Sequence, residues 1–305
     1  MNLVYIISAY KLPEQLIRLV HRLQAPKTTF LIHIDRKTSP EIASGMKSGL
    51  EAIENVQFLP SHNCFWGEFG HVAASLEGIR AIGEQAVPCD YAVLLTGQDY
   101  PIKTHAEITA KLETGGGKSF LSHFPLPSRI WPNQGMERIE RWHCRIMGRY
   151  LPFPRNENDR HVPWLPRFVE RLLLPDKRRF YPGMKPFGGG GYWCLSHEAV
   201  EYVYAYVRVN PRYVRFFKTV YIPDELFFQT ILMNSPLHLK LIDDDLRQID
   251  WSDRRPGRFP AIFEVKDIDM LMTSQKLFAR KFDTTIDCEI LELIDTRILG
   301  VTART

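Results

Sequence analysis

No stretch of the sequence approaches 18 consecutive apolar residues, so a transmembrane helix is not predicted. The opening residues run straight into Leu3-Val4-Tyr5-Ile6-Ile7. That run is too short for the apolar core of a signal peptide and lacks a basic flank and a cleavage site, so it reads as a strand. Cysteine is sparse: Cys64, Cys89, Cys144, Cys194 and Cys288 are odd in number, widely spaced and never in a C-x-x-C pair. This favours a reducing compartment over a disulfide framework and argues against thiolate zinc. Charge of one sign is also missing, with 39 Lys and Arg against 35 Asp and Glu, a formal +4. Such a mild bias suits phosphorylated or membrane-surface partners and falls short of a nucleic-acid signature. The run Gly188-Gly189-Gly190-Gly191 has neither the spacing of a dinucleotide fingerprint nor the Gly-Lys-Ser/Thr of a P-loop. Dehydrogenase and P-loop ATPase readings therefore lose their support. His33 and Cys194 stand in no context resembling a nucleophile elbow or a papain-like motif.

What is present is a core-forming chain of 305 residues, 45% hydrophobic and 12% aromatic, ample for one compact unit. Apolar runs at Leu3–Ile7, Thr28–Ile34, Val56–Leu59 and Tyr91–Leu95 alternate with helical spacing after Pro13, around Glu41–Ile53 and over Val72–Ile82. The alternation predicts an α/β fold with a mostly parallel sheet, helices on both faces and ligands beyond the strand C-termini. His33, Asp35, Thr96, Gln98 and Asp99 fall on that edge. Further on, a helical turn at Glu107–Leu112, a strand at Ser119–Ser122, a strand at Tyr192–Leu195, helices at Glu198–Val207 and Pro223–Met233 and a strand at Leu237–Ile242 are expected. Between them, residues 125–186 are rich in Pro, Arg and aromatics and read as a variable insertion shaping a cleft, with a helix near Arg167–Leu174. The expected organisation is a single domain over 1–305, with a nucleotide-binding half (1–122), the insertion (123–187) and an acceptor- and diphosphate-binding half (188–305).

Pro223-Asp224-Glu225 puts two acids at a helix start, where unpaired amides favour negative charge. A plain acidic first turn would look the same. The functional alternative is a carboxylate acting as general base on a hydroxyl, with Glu225 the choice and Asp224 beside it. A departing diphosphate needs its charge neutralised by a metal or by fixed cations. Arg280-Lys281 lies among Leu277, Phe278 and Phe282, and Arg258 is a further cation. The acidic runs Asp243-Asp244-Asp245 and Asp267-Ile268-Asp269 do not follow a predicted strand with a histidine partner in view, so they read as solvent-facing loops rather than metal ligands. Cationic side chains in place of metal are expected. Gly190-Gly191 reads as backbone closely approached by a sugar, and Trp66, Tyr192 and Trp193 as aromatic faces, with core packing the plainer alternative for the aromatics.

Several stretches taken in order, His33-Ile34-Asp35-Arg36-Lys37, Phe65-Trp66-Gly67, Leu94 to Ile102, Gly188 to Leu195, Pro223 to Phe228 and Leu277 to Asp283, resemble the core-2/I-branching β-1,6-N-acetylglucosaminyltransferases and the peptide xylosyltransferases. The resemblance implies an inverting, metal-independent glycosyltransferase with a GT-A-like nucleotide-binding sheet and a UDP-sugar as donor substrate, without a cofactor. It implies Glu225 as base, Lys281 with Arg280 and Arg258 at the diphosphate, and Asp35, His33, Trp66 and Asp99 by the nucleotide. Asp224, Gly190, Gly191, Tyr192 and Trp193 are assigned to the acceptor or sugar region. Xylosyltransferase-like members have Ser-Asp before the aromatic pair where this chain has Gly190-Gly191, which weakens xylosyl transfer to peptide serine. Animal members carry an N-terminal anchor and lumenal disulfides, features not read in this sequence. The expectation is a cytoplasmic relative, with possible peripheral contact at the inner membrane face, acting on a glycan or lipid-linked saccharide. The rival readings are a non-catalytic carbohydrate- or nucleotide-binding protein and a metal-dependent GT-A transferase.

Overall fold

The structure, a computed structural model, describes residues 1–146, 148–153, 178–252 and 260–301. The expected helix near Arg167–Leu174, and Arg258, lie outside the described residues.

The amino-terminal half runs β1 (Leu3–Ala9), α1 (Pro13–Leu23), β2 (Thr28–Ile34), α2 (Pro40–Ser48), β3 (Val56–Phe58), α3 (Gly70–Glu84), β4 (Tyr91–Thr96), β5 (Asp99–Pro101), α4 (His105–Thr114) and β6 (Ser119–Leu121). The middle supplies β7 (Phe124–Pro125), α5 (Glu137–Glu140), β8 (Trp142–Ile146), β9 (Arg149–Phe153) and β10 (Phe187–Gly188). Then come β11 (Trp193–Ser196), α6 (His197–Val209), α7 (Pro211–Phe217), α8 (Phe227–Met233), β12 (Leu241–Ile242), β13 (Arg247–Ile249), α9 (Ile268–Thr273), β14 (Phe278–Arg280) and α10 (Glu289–Leu293).

Seven strands form the main sheet in the order β12-β6-β11-β4-β1-β2-β3, with β11 antiparallel to both of its neighbours. The mostly parallel sheet that the pattern predicts is therefore present. Period-two alternation along β1 divides the core. Leu3, Tyr5, Ile7 and Ala9 face Leu16, Leu19, Val20 and Leu23 of α1, while Val4 and Ile6 face Val72, Ile79 and Ile82 of α3. Both faces are thus covered, which fits the near-continuous apolar runs of β1, β2 and β4. A second sheet, β13-β14-β5, stands beside β4 and pairs Arg280 with Asp99 in register.

Two expected elements differ. The helix expected over Pro223–Met233 is a 3-10 turn at Pro223–Glu225, a break at Leu226 (φ −134°) and then α8. The Glu225 carbonyl accepts from the Gly189 amide at 2.9 Å, so it is not the first rung of α8. The strand expected over Leu237–Ile242 is a 3-10 turn at His238–Lys240 followed by the two residues of β12. Among the described residues no helix is long and apolar enough to cross a membrane.

Candidate active site

The turn carrying Asp224 and Glu225 is held from three sides. Ile222, in the left-handed region at φ 50°, donates its amide to Gly67 O at 2.9 Å. A β-branched residue there is strained and persists only where its surroundings hold it. Gly67 itself has φ 77°, and a Cβ on it would come within 3.0 Å of the Tyr221 ring. From the third side the Gly189 amide reaches the Glu225 carbonyl. The sequence thus needs glycine at both approaches to the turn.

Glu225 Oε2 accepts from Arg138 Nη1 at 2.6 Å, and the Arg138 guanidinium lies 3.6 Å from the centre of the Trp131 ring. Oε1 has no hydrogen-bond partner among the described residues. Burial, with the neighbouring Asp224 carboxylate, pushes the Glu225 pKa up, and Arg138 opposes the shift. Burial also carries Asp224 to about 6, and its Oδ1 is shielded without a hydrogen-bond partner.

The glycine run packs against these acids. A Cβ on Gly191 would stand 3.2 Å from Asp224 Oδ2, one on Gly190 2.9 Å from Asp245 Oδ2, and one on Gly189 1.8 Å from Ser122 O. Gln229 Nε2 donates to Gly190 O at 2.6 Å. The run is therefore a tightly approached backbone rather than a loose loop, bordered by the Asp224 and Asp245 carboxylates and by the Glu225 carbonyl. Burial raises the Asp245 pKa as well.

Tyr192 joins this acidic pocket to a basic edge, its ring centre lying 5.2 Å from the Arg280 guanidinium and 5.6 Å from that of Arg247. Arg280 bonds the Thr96 hydroxyl and, at 3.2 Å, Asp99 Oδ1. Lys281, next along, is partly exposed and makes no ion pair among the described residues. Burial, then Arg280 and Lys11, lower its pKa.

Three residues singled out from the sequence are fully buried. Asp99 has no exposed surface and is filled by the Thr96 amide (2.6 Å) and Arg280, so it orders the arginine. His33 is likewise fully buried, accepting the His62 amide at Nε2 (3.0 Å) and facing Ser8 Oγ at Nδ1 (3.0 Å). Burial takes its pKa to about 4, so it is a neutral fastener between β1, β2 and the loop at residue 62. Trp193 is enclosed against Phe228, ring centres 5.4 Å apart, and belongs to the core.

Asp35 sits at the C-terminal end of β2, held by Lys37 Nζ at 2.5 Å. Trp66 is 72% exposed and stands edge-on to Tyr221. The acids 243–245, expected to face solvent, go to separate partners: the His123 amide for Asp243, Lys276 for Asp244 and the glycine edge for Asp245. Among the described residues no group of three or more His, Cys, Asp or Glu is disposed to hold a metal. Arg138 and Asp245 were missed as site residues. Arg138 lies 87 positions from Glu225, and no local pattern joins the two.

A family model described as Core-2/I-Branching enzyme matches residues 3–272. The chain belongs to the Core-2/I-branching enzyme family. The match contains Glu225, Asp224, Arg138 and the glycine run and ends before Arg280-Lys281. Mouse xylosyltransferase 2 is 28% identical over 307 residues, covering 94% of this chain and 32% of that protein. Mouse β-1,3-galactosyl-O-glycosyl-glycoprotein β-1,6-N-acetylglucosaminyltransferase 3 is 22% identical over 323 residues, covering 96% of this chain and 67% of that protein. This Core-2/I-branching chain thus spans about a third of the length of the xylosyltransferases it matches.

Proposed function

We propose that the protein is an inverting glycosyltransferase that moves a sugar, xylose or N-acetylglucosamine, from a UDP-sugar to a hydroxyl of a glycan or glycoconjugate. The observation that carries this reading is the placement of Glu225: a partly buried carboxylate with one oxygen bound by Arg138 and the other unpartnered, linked through the glycine run and Tyr192 to the basic edge at Arg280-Lys281. The family match and the names of the two mouse relatives support the reaction class.

In this reading the acceptor hydroxyl approaches Glu225 Oε1, which takes its proton as the oxygen attacks the anomeric carbon. UDP leaves from the opposite face, and Lys281 meets the charge that develops on it, an interaction strongest in the transition state. Arg138 fixes which carboxylate oxygen is free. Arg280, braced by Asp99, holds Tyr192 and positions the adjoining lysine, and Trp66 and Asp35 lie at the nucleotide and sugar end. Cationic side chains do the work that a metal does in other transferases. A lipid-linked saccharide at the cytoplasmic face of a membrane is the acceptor setting this reading favours, with peripheral contact.

A thermal-unfolding screen tests the donor class, because a ligand that binds the folded state raises the melting temperature by mass action. UDP-xylose or UDP-N-acetylglucosamine should protect more than GDP-mannose or ADP-glucose at equal concentration. Protection by none of the UDP-sugars contradicts the reading.

A further inference from the structure

The cations near the proposed donor site differ in what they have left to offer a ligand. Arg280 is committed to Thr96 and Asp99, and Lys37 to Asp35 and the Cys64 carbonyl. Lys281 is open, but a sugar diphosphate carries a negative charge on each phosphate, and a further charge forms as the glycosidic bond breaks. One ammonium leaves that charge incompletely met.

Lys11 lies in the short link between β1 and α1, on the C-terminal edge where sheets of this kind take their ligands. Its Nζ lies 2.6 Å from Asp283 Oδ2, and it makes no other ion pair among the described residues. We propose that Lys11 is a second diphosphate-binding ammonium, held by Asp283 while the site is empty and transferred to the phosphates when the donor enters. The inference rests on the UDP-sugar reading above.

Three further observations support it. The 11-residue helix α1 opens without a side-chain cap, behind Leu12 at φ 58° and with Pro13, which has no N–H, at its first position, so the amides of Glu14 and Gln15 are the ones left to favour an anion at this end. Lys11 is close enough to Lys281 to disfavour the charge on Lys281, a repulsion that an anion between them relieves. Asp283 keeps partners when Lys11 leaves, because its Oδ1 accepts from the Thr285 hydroxyl at 2.5 Å and the Thr285 amide at 3.1 Å. The lysine side chain is 31% exposed against 8% for its partner, so the lysine is the member free to move.

Calorimetric titration of UDP and of uridine into wild type, Lys11→Met and Asp283→Asn, with melting temperatures recorded, tests the assignment. Lys11→Met should weaken UDP binding about tenfold or more, the effect of losing a charge-assisted hydrogen bond, and leave uridine within about twofold. Asp283→Asn breaks the same bridge but frees the ammonium, so UDP should bind as tightly as in wild type or tighter. UDP affinity in Lys11→Met within about twofold of wild type overturns the inference alone. So does an Asp283→Asn that weakens UDP as much as Lys11→Met, since the bridge would then act by shaping the site. A wild type that binds no UDP overturns the donor reading and this inference together.

Discussion

Replacing Arg138 by Met removes the guanidinium from Glu225 Oε2 while keeping an unbranched side chain to cover Trp131. The two side chains are 14% and 27% exposed, so solvent screens their interaction only partly. A hydrogen bond to a charged group contributes about 1.5–3 kcal/mol, and at about 1.36 kcal/mol per pH unit this corresponds to roughly 1–2 units. The direction follows from the carboxylate: burial and Asp224 already raise the Glu225 pKa, and Arg138 is the group holding it down. Without Arg138 the base protonates at higher pH, so activity is lost sooner as pH falls. In a pH profile of kcat/KM the acid limb should move up by about 1–2 units. On the acid side the rate should fall about 10–100-fold, with far less change on the plateau, because only the ionised fraction of the base acts. Arg138→Lys should restore part of the shift. An acid limb that stays in place or moves to lower pH refutes the reasoning, and a pH-independent loss assigns Arg138 to packing alone.

Asp99→Asn leaves Arg280 without its buried counter-charge, which costs about 3 kcal/mol or more, so the melting temperature should drop by at least about 5 °C by calorimetry. An unchanged melting temperature would place the pair outside the folded core. Gly189→Ala forces a Cβ against the Ser122 carbonyl at 1.8 Å and should destabilise by about 2 kcal/mol or more in urea unfolding. Gly190→Ala meets the movable Asp245 carboxylate at 2.9 Å and Ser122 Cβ at an ordinary 3.9 Å, and should be milder. Transfer in excess EDTA should match that with added Mn²⁺ within about twofold, and a collapse restored by the metal would favour the metal-dependent alternative.

The parallel sheet was legible because β1, β2 and β4 are buried on both faces and so read as continuous apolar runs. The second sheet was not, because β5, β13 and β14 are three residues each and carry no periodicity. Glu225 and Lys281 could be singled out by their local motifs. Arg138 and Lys11 could not, since each meets its partner only through the fold, across 87 and 272 positions. Asp99, His33 and Trp193 are a different case. Their motif position suggested a ligand, whereas burial gives each of them a structural task. Asp245 was dismissed with its two neighbours as one acidic run, although the β12 to β13 turn sends the three carboxylates to different places.

Release of UDP from UDP-xylose and UDP-N-acetylglucosamine, with and without a glycan acceptor, compared between wild type and Glu225→Gln, tests the central claim most directly. Wild type should release UDP from at least one donor, faster with acceptor and with inverted configuration in the product. Glu225→Gln should retain UDP affinity within about twofold and lose turnover by about a hundredfold or more. Equal turnover in the two proteins would contradict the account.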